Sequence, residues 1–212
     1  TCMELKDRAD CIVKSLEIES PDADCSLDSQ DALQSLIATR LSAQCTDARV
    51  NVVTKVLFSH YHKAEDYAVA QQEDIEEIIH SCGLFHTKAR NIIAMCQKIL
   101  ADYNGQVPNT LEKLLTLPGV GRKTANLIMG DIYHQPAIVT DTHCIRISNR
   151  LGLVHVKDPK KVEFALKELI APAKSATFCH ALVLHGRAVC KARAPECAQC
   201  CLASFCDSFP LV

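Results

Sequence analysis

Apolar residues recur at three- and four-residue spacing along most of the chain, the period of amphipathic helices. Leu5, Ala9, Ile12, Val13 and Leu16 line the face of an opening helix, and the acidic, proline-containing stretch from Glu17 to Asp24 ends it as a connection. Leu33, Leu36, Ile37 and Leu41 mark a second helix, capped by Ser29 or Asp31. After the turn Leu41-Ser42-Ala43-Gln44-Cys45-Thr46-Asp47, a helix restarts at Val50, Val53 and Leu57 with Asp47 as its expected N-cap, so Gln44 falls between two helices. Ile75, Ile78 and Ile79 form another, closed by Gly83. A longer helix covers Thr87 to Ala101, with Ile92, Ile93, Cys96 and Leu100 on its face and Gly105 beyond it. Asn109 or Thr110 caps a helix bearing Leu111, Leu114 and Leu115, and Ala125, Leu127 and Ile128 mark the next. One helix follows Asp141 and stops at Gly152, and Asp158-Pro159, a cap with an N1 proline, starts one over Val162 to Ile170. The last covers Ser175 to Ala188. With roughly ten helices and no alternating strand, the expected fold class is all-α.

Two of these helices are joined by Leu117-Pro118-Gly119-Val120-Gly121, followed directly by Arg122-Lys123. Glycine there supplies φ > 0 and lets another backbone come close. The second helix begins with outward N–H groups, a ready site for a phosphate oxygen. A lone Gly-x-Gly is as well explained by a tight turn between core helices. The lysine two residues on, and Asp141 beyond it, make a chemical reading the stronger one.

Composition narrows the class. The 212 residues suffice for one large domain or two small ones, and 48% are hydrophobic without any run long enough to span a bilayer. No basic-plus-apolar leader opens the sequence. Thirteen cysteines without such a leader argue against a disulfide framework and for a reducing cytosol, with Cys11, Cys82, Cys96 and Cys144 as small buried hydrophobes. The formal charge is −2, yet residues 1–106 hold 10 Lys/Arg against 17 Asp/Glu and residues 107–212 hold 13 against 8, an asymmetry that suggests a phosphate-binding face. Four cysteines, Cys190-x6-Cys197-x2-Cys200-x5-Cys206, could enclose a cubane iron–sulfur cluster or a tetrahedral zinc. Zinc modules usually repeat the paired CxxC, and only one pair occurs here. Cys201 falls outside the pattern, and His180 and His185 lie on the last helix as packing or hydrogen-bonding residues.

Leu117 to Ala125, followed by Val139-Thr140-Asp141-Thr142-His143, resembles the helix-hairpin-helix and Gly-Pro-Asp signature of DNA-repair glycosylases. The version with a lysine resembles the endonuclease III branch, and the likeness extends over most of the chain, terminal cysteines included. It implies a six-helix domain over 25–135, with the hairpin at about 110–134, and an iron–sulfur domain made of 1–24 and 136–212. There a [4Fe-4S] cluster would be held by Cys190, Cys197, Cys200 and Cys206 in a loop over 190–206. The implied activity is base-excision repair by a bifunctional DNA N-glycosylase that removes oxidised pyrimidines and cuts 3′ to the abasic site by β-elimination. The implied partner is double-stranded DNA with damaged bases or abasic sites. A monomer in a prokaryotic cytoplasm, associated with the nucleoid and not with a membrane, is expected.

The resemblance distributes roles onto residues that each have a plainer reading. Lys123 would form a Schiff base with the sugar, though a surface lysine there could simply touch phosphate. Asp141 would stabilise cationic charge on the sugar or relay a proton, and also N-cap its helix. Gln44 and Leu84 would fill the gap left by an extruded base, although a leucine beside a helix-ending glycine is commonly a packing contact. Gly119, Val120, Gly121 and Arg122 would meet the DNA backbone, and Lys191 and Arg193, in the loop between the first two cysteines, would meet phosphates or be merely solvated. Some relatives carry a glutamate eight residues before the lysine, where this chain has Leu115. An adenine-removing glycosylase is the nearest alternative, but no acid lies between Asp31 and Asp47 and the nucleophile position is Lys123. A non-catalytic DNA-binding module with a structural metal would need neither Lys123 nor Asp141.

Overall fold

Helix follows helix where the apolar spacing places them, and the computed structural model, which describes residues 3–210, contains no strand among them. The chain forms two units: Cys25–Tyr133, and the residues up to Asp24 together with those from His134 on.

The unit Cys25–Tyr133 holds α2 (Ala32–Ser42), α3 (Asp47–His60), α4 (Ala64–Ala68), α5 (Gln72–Ile79), α6 (Phe85–Tyr103), α7 (Leu111–Leu114) and α8 (Arg122–Asp131). Its core gathers Leu36, Ile37 and Leu41 of α2, Val50 and Leu57 of α3, Ile75 and Ile79 of α5, Ile92 and Cys96 of α6, and Ala125 and Ile128 of α8. Each such aliphatic side chain contributes about 1.5–3 kcal/mol of transfer free energy. Asp31 caps α2 by accepting from Gln34 N–H at 2.8 Å. The expected cap of α3 moves by one residue: Thr46 accepts from Arg49 N–H, and Asp47 is the first helical residue, its carboxylate taken by the Ser26 hydroxyl. The short α4 was not expected, because five residues show no periodicity; it starts where the Asp66 carboxylate accepts from the N–H groups of His62 and Lys63. A 3-10 turn, His80–Cys82, separates α5 from Gly83.

The other unit holds α1 (Leu5–Glu19), α9 (Thr142–Arg150), α10 (Pro159–Leu169) and α11 (Ser175–Ala188) around Ile12, Leu16, Ile138, Ile147, Leu151, Leu166, Phe178 and Leu182. α1 runs to Glu19, so the connection begins later than the acidic stretch suggests. Asp158 and Pro159 start α10 as expected, Asp158 accepting from Lys161 N–H at 2.8 Å. Beyond α11 the chain coils through two more 3-10 turns, Cys197–Gln199 and Ala203–Phe205. Cys82, Cys96, Cys144 and Cys179 are buried, whereas Cys11 is only partly so. No described helix is long and apolar enough to cross a membrane.

Candidate active site and cysteine centre

The hairpin between α7 and α8 is a type II turn with its preferred residues: Pro118, then Gly119 at φ 76°, closed by Val120 N–H to the Leu117 carbonyl at 3.1 Å. Val120 turns its side chain into the core and offers only backbone outward. Gly121 then begins α8 with no side-chain cap. Its φ of −91° suits any residue, and a Cβ there would meet nothing within 4 Å. Nothing inside the protein therefore requires glycine at 121. Ala125, Leu127 and Ile128 anchor the buried face of α8, and Lys123 stands exposed in its first turn. Beneath the turn, Arg40 of α2 lies 3.4 Å from where a Gly119 Cβ would be, its enclosed Nε without a hydrogen-bond partner in the chain.

Asp141 caps α9, its Oδ1 accepting from Cys144 N–H at 2.7 Å. Its other oxygen lies 2.9 Å from His143 Nδ1, so both carboxylate oxygens are held while 14% of the side chain stays accessible. No sequence motif marks His143 for this part. Leu115 ends α7 as its C-cap, and α7 presents no carboxylate at that position.

Gln44 and Leu84 share a backbone peculiarity. Ala43 (φ −58°, ψ 115°) and Gln44 (φ 56°), closed by Cys45 N–H to the Ser42 carbonyl, form a type II turn with glutamine where glycine is preferred. Leu84 is left-handed too (φ 49°, ψ 30°), follows Gly83 at φ 69°, and is 59% exposed. A side chain in that region costs about 1–2 kcal/mol, and strain of this kind gathers at functional positions. A leucine that is both strained and exposed earns nothing from packing. Lys88, four residues further on, is buried to 1% exposure, and its ammonium donates to the carbonyls of Leu41 (2.8 Å) and Cys82 (2.9 Å). Burial lowers its pKa.

Cys190, Cys197, Cys200 and Cys206 line one pocket whose other walls include Ile147, Leu151, Val189, Leu202 and Phe209. Burial pushes the Cys200 and Cys206 thiols up, and each also feels the Cys190 sulfur. Four converging sulfurs in an apolar enclosure suit a multivalent metal centre, which takes them as thiolates. Among the described residues, donor atoms all within 4.8 Å of one another belong to Glu19, His185 and Cys201, not to this set. Sulfurs on one tetrahedral zinc, at bonds of about 2.3 Å, would lie roughly 3.8 Å apart. Glu19 and His185 are already joined by a 2.7 Å hydrogen bond, and Cys201 is exposed outside the pocket. His185 thus hydrogen-bonds, as expected, and its Nε2 also lies 3.5 Å from Cys200 Sγ.

Two arginines of α9, which no sequence motif marks, hold the loop. Arg146 donates to the Cys190 carbonyl at 3.0 Å. Arg150 donates to Cys190 Sγ (3.2 Å) and to the carbonyls of Lys191 (2.8 Å) and Ala192 (3.1 Å). At the tip Arg193 is exposed, while Lys191 is ion-paired to Glu196.

Known proteins are similar to this chain in sequence and fold. Residues 37–172 match the HhH-GPD superfamily of base excision DNA repair proteins. An endonuclease III from a Synechocystis strain is 48% identical over 96% of this chain and 93% of its own length. Among solved structures, a non-covalent endonuclease III–DNA complex superposes with a TM-score of 0.91 at 40% identity, covering 97% of each chain. A trapped covalent endonuclease III–DNA intermediate does so at 0.90 and 39%, covering 98% of this chain and 97% of the other.

Proposed function

This chain belongs to the HhH-GPD superfamily of base excision DNA repair proteins, and on that footing we propose that it is a bifunctional glycosylase and abasic-site lyase whose nucleophile is Lys123. The observation that carries the reading is Gly121. A glycine that no internal contact or dihedral demands, at the uncapped start of α8 and two residues before an exposed lysine, leaves a face free for a backbone from outside. The likeness to an endonuclease III trapped covalently on DNA supports an amine nucleophile.

In the proposed reaction the neutral Lys123 amine attacks C1′ of the damaged nucleotide, and the base leaves with the electrons of the glycosidic bond. The sugar opens to an imine, loss of a C2′ proton breaks the C3′–O bond, and the 3′ phosphate departs. Asp141, held by the Cys144 N–H and by His143, balances cationic charge on the sugar and takes up a proton. With Leu115 where some relatives have an acid, water completes the proton transfers. Oxidised pyrimidines in duplex DNA are the proposed substrates, the cytoplasm the proposed site of action. Gln44 and Leu84 enter the stack as the nucleotide turns out, and Gly119, Gly121, Arg122, Lys191 and Arg193 hold the DNA backbone.

The four terminal cysteines are proposed to hold a [4Fe-4S] cluster; the single CxxC pair among them and the pocket that all four line support it over a zinc module. When bound, the cluster supplies ligation that makes the loop stiff, and Arg146 and Arg150 set that loop on α9.

Borohydride trapping tests the proposal. On a duplex with one abasic site the protein should give a covalent adduct, and Lys123→Gln should bind without trapping or cutting. Asp141→Asn keeps a capping oxygen, so it should fold and lose base excision by about two orders of magnitude or more, the scale of a removed general base. Trapping that persists in Lys123→Gln would move the nucleophile elsewhere.

A further inference from the structure

We propose that Lys88 is a positioning residue that locks the Gln44 turn and the Leu84 turn to each other, so that both wedges enter DNA as one rigid piece. The inference rests on the reading of Gln44 and Leu84 given above, and goes beyond it by naming what fixes their separation.

Lys88 reaches both turns from one point. Its ammonium donates to the Leu41 carbonyl, which leads into the Gln44 turn, and to the Cys82 carbonyl, which leads into Gly83-Leu84. Its backbone N–H donates to the Leu84 carbonyl at 2.9 Å. One residue therefore reaches a turn 47 positions away in sequence and another 6 away by its side chain, and holds Leu84 by its main chain. The thiols stand beside it: Cys45 directly follows Gln44, Cys82 directly precedes Gly83, and burial first and Cys45 next raise Cys82 to about 11.

Stability alone does not account for a cation there. A buried ammonium is costly, and a methionine would fill much the same volume without desolvating a charge. The ammonium does what methionine cannot: it satisfies two carbonyls that end separate elements, one of them at the negative end of α2. Insertion into a duplex needs two side chains at a fixed spacing, and any freedom between the turns would have to be frozen at every binding event.

The test uses the iron-loaded protein and two substrates. One is a duplex with a single oxidised pyrimidine, where a paired base must be expelled. The other is a single-stranded oligonucleotide with one abasic site, where there is no base to expel and no partner strand to wedge. Lys88→Met should lower kcat/KM for excision from the duplex by about tenfold or more, the scale of a slightly misplaced group, and leave single-strand trapping within about twofold. Loss of both activities in proportion, or of neither, would overturn the proposal. Should Lys88→Met not fold, Lys88→Gln, which keeps one amide donor, decides: a fall of about threefold or more in the duplex-to-single-strand ratio sustains the proposal, while an unchanged ratio, or failure of both variants to fold, overturns it. Gln44→Ala and Leu84→Ala, run alongside, separate the two readings. If they leave duplex excision intact, the wedge assignment fails and this proposal with it; if they impair it and Lys88→Met does not, only the positioning role fails. Added to Gln44→Ala/Leu84→Ala, Lys88→Met should cost little more, since residues that act as a unit are not additive.

Discussion

Gly119 and Gly121 stand two residues apart and are glycine for different reasons. At Gly119 the cause is internal: φ of 76° strains any side chain, while the Arg40 side chain at 3.4 Å leaves bare room for a methyl. At Gly121 neither dihedral nor neighbour excludes a Cβ, and beyond its fitness as an N-cap the proposed cause is a DNA backbone outside the fold. Gly119→Ala should therefore lower stability by about 1–2 kcal/mol through backbone strain. Gly121→Ala should cost less, about 0.5–1 kcal/mol, since alanine is the poorer N-cap but meets no backbone strain there, yet weaken binding to undamaged duplex severalfold. Denaturant melts and duplex titrations would show the two effects on different variants; equal loss of stability in both would return Gly121 to an ordinary turn residue. The same scale separates what the sequence reveals from what it hides. Gly119 and Gly121 are conspicuous because glycine punctuates a pattern. Lys88 is not, since its partners are main-chain carbonyls 47 and 6 residues away and carbonyls have no residue type to recognise. The left-handed state of Gln44 and Leu84 is equally silent in sequence, because neither residue type prefers it.

Among the helices, α9 ties the proposed catalytic aspartate to the cysteine loop. Its N-terminus is Asp141, and Arg146 and Arg150, one and two turns further along, hold the start of the cysteine loop. A nine-residue helix is about 14 Å long, so loop and carboxylate are carried on the same short element. Arg150→Met removes three donor contacts, to a sulfur and two carbonyls, while leaving the apolar stem largely in place. It should speed iron loss to a chelator and lower the melting temperature of the loaded protein. Excision should fall as iron leaves, and by less while the centre is full. Unchanged iron retention would reduce the arginine to a surface contact. Much of α9 was legible: an aspartate before an apolar-periodic run, with Gly152 at the far end, is a start and stop signal. The loop it holds was legible as spacing. Their connection was not, since Arg150 and its partners lie about 40 residues apart and only the folded unit brings them together. Thr46 and Asp47 show a smaller version of the same limit: two adjacent residues can both cap, and sequence gives no way to choose between them.

At the scale of the whole molecule, the apparent charge division of the chain dissolves once it folds. The acidic first half and basic second half are cut inside a unit, and by unit the balance is nearly even: Cys25–Tyr133 carries 10 Lys/Arg and 12 Asp/Glu, the remainder 13 and 13. The sequence pattern announced helices because periodicity is local, but it could not announce which stretches share a unit, and chain order was the wrong guide to where charge gathers. Neither unit attracts a polyanion by its total, so affinity has to come from a few placed cations and helix ends. That makes single charges near the cysteine loop count. Arg193 is exposed at its tip, whereas Lys191 is held by Glu196 at one end of the same loop. A lysine in such a pair gives up its carboxylate when it takes a phosphate, so the pair opposes binding. Arg193→Ala should weaken binding to damaged and undamaged duplex alike and flatten the plot of log affinity against log salt by about one unit. Glu196→Gln should act in the opposite sense, tightening both complexes at low salt and steepening the slope, with the gain fading as salt rises through about 0.2 M. Titrating a labelled duplex over a salt series measures both. A Glu196→Gln protein with the parent's affinity and slope would mean that Lys191 stays off the DNA, and that Arg193 alone carries the loop's share of the contact.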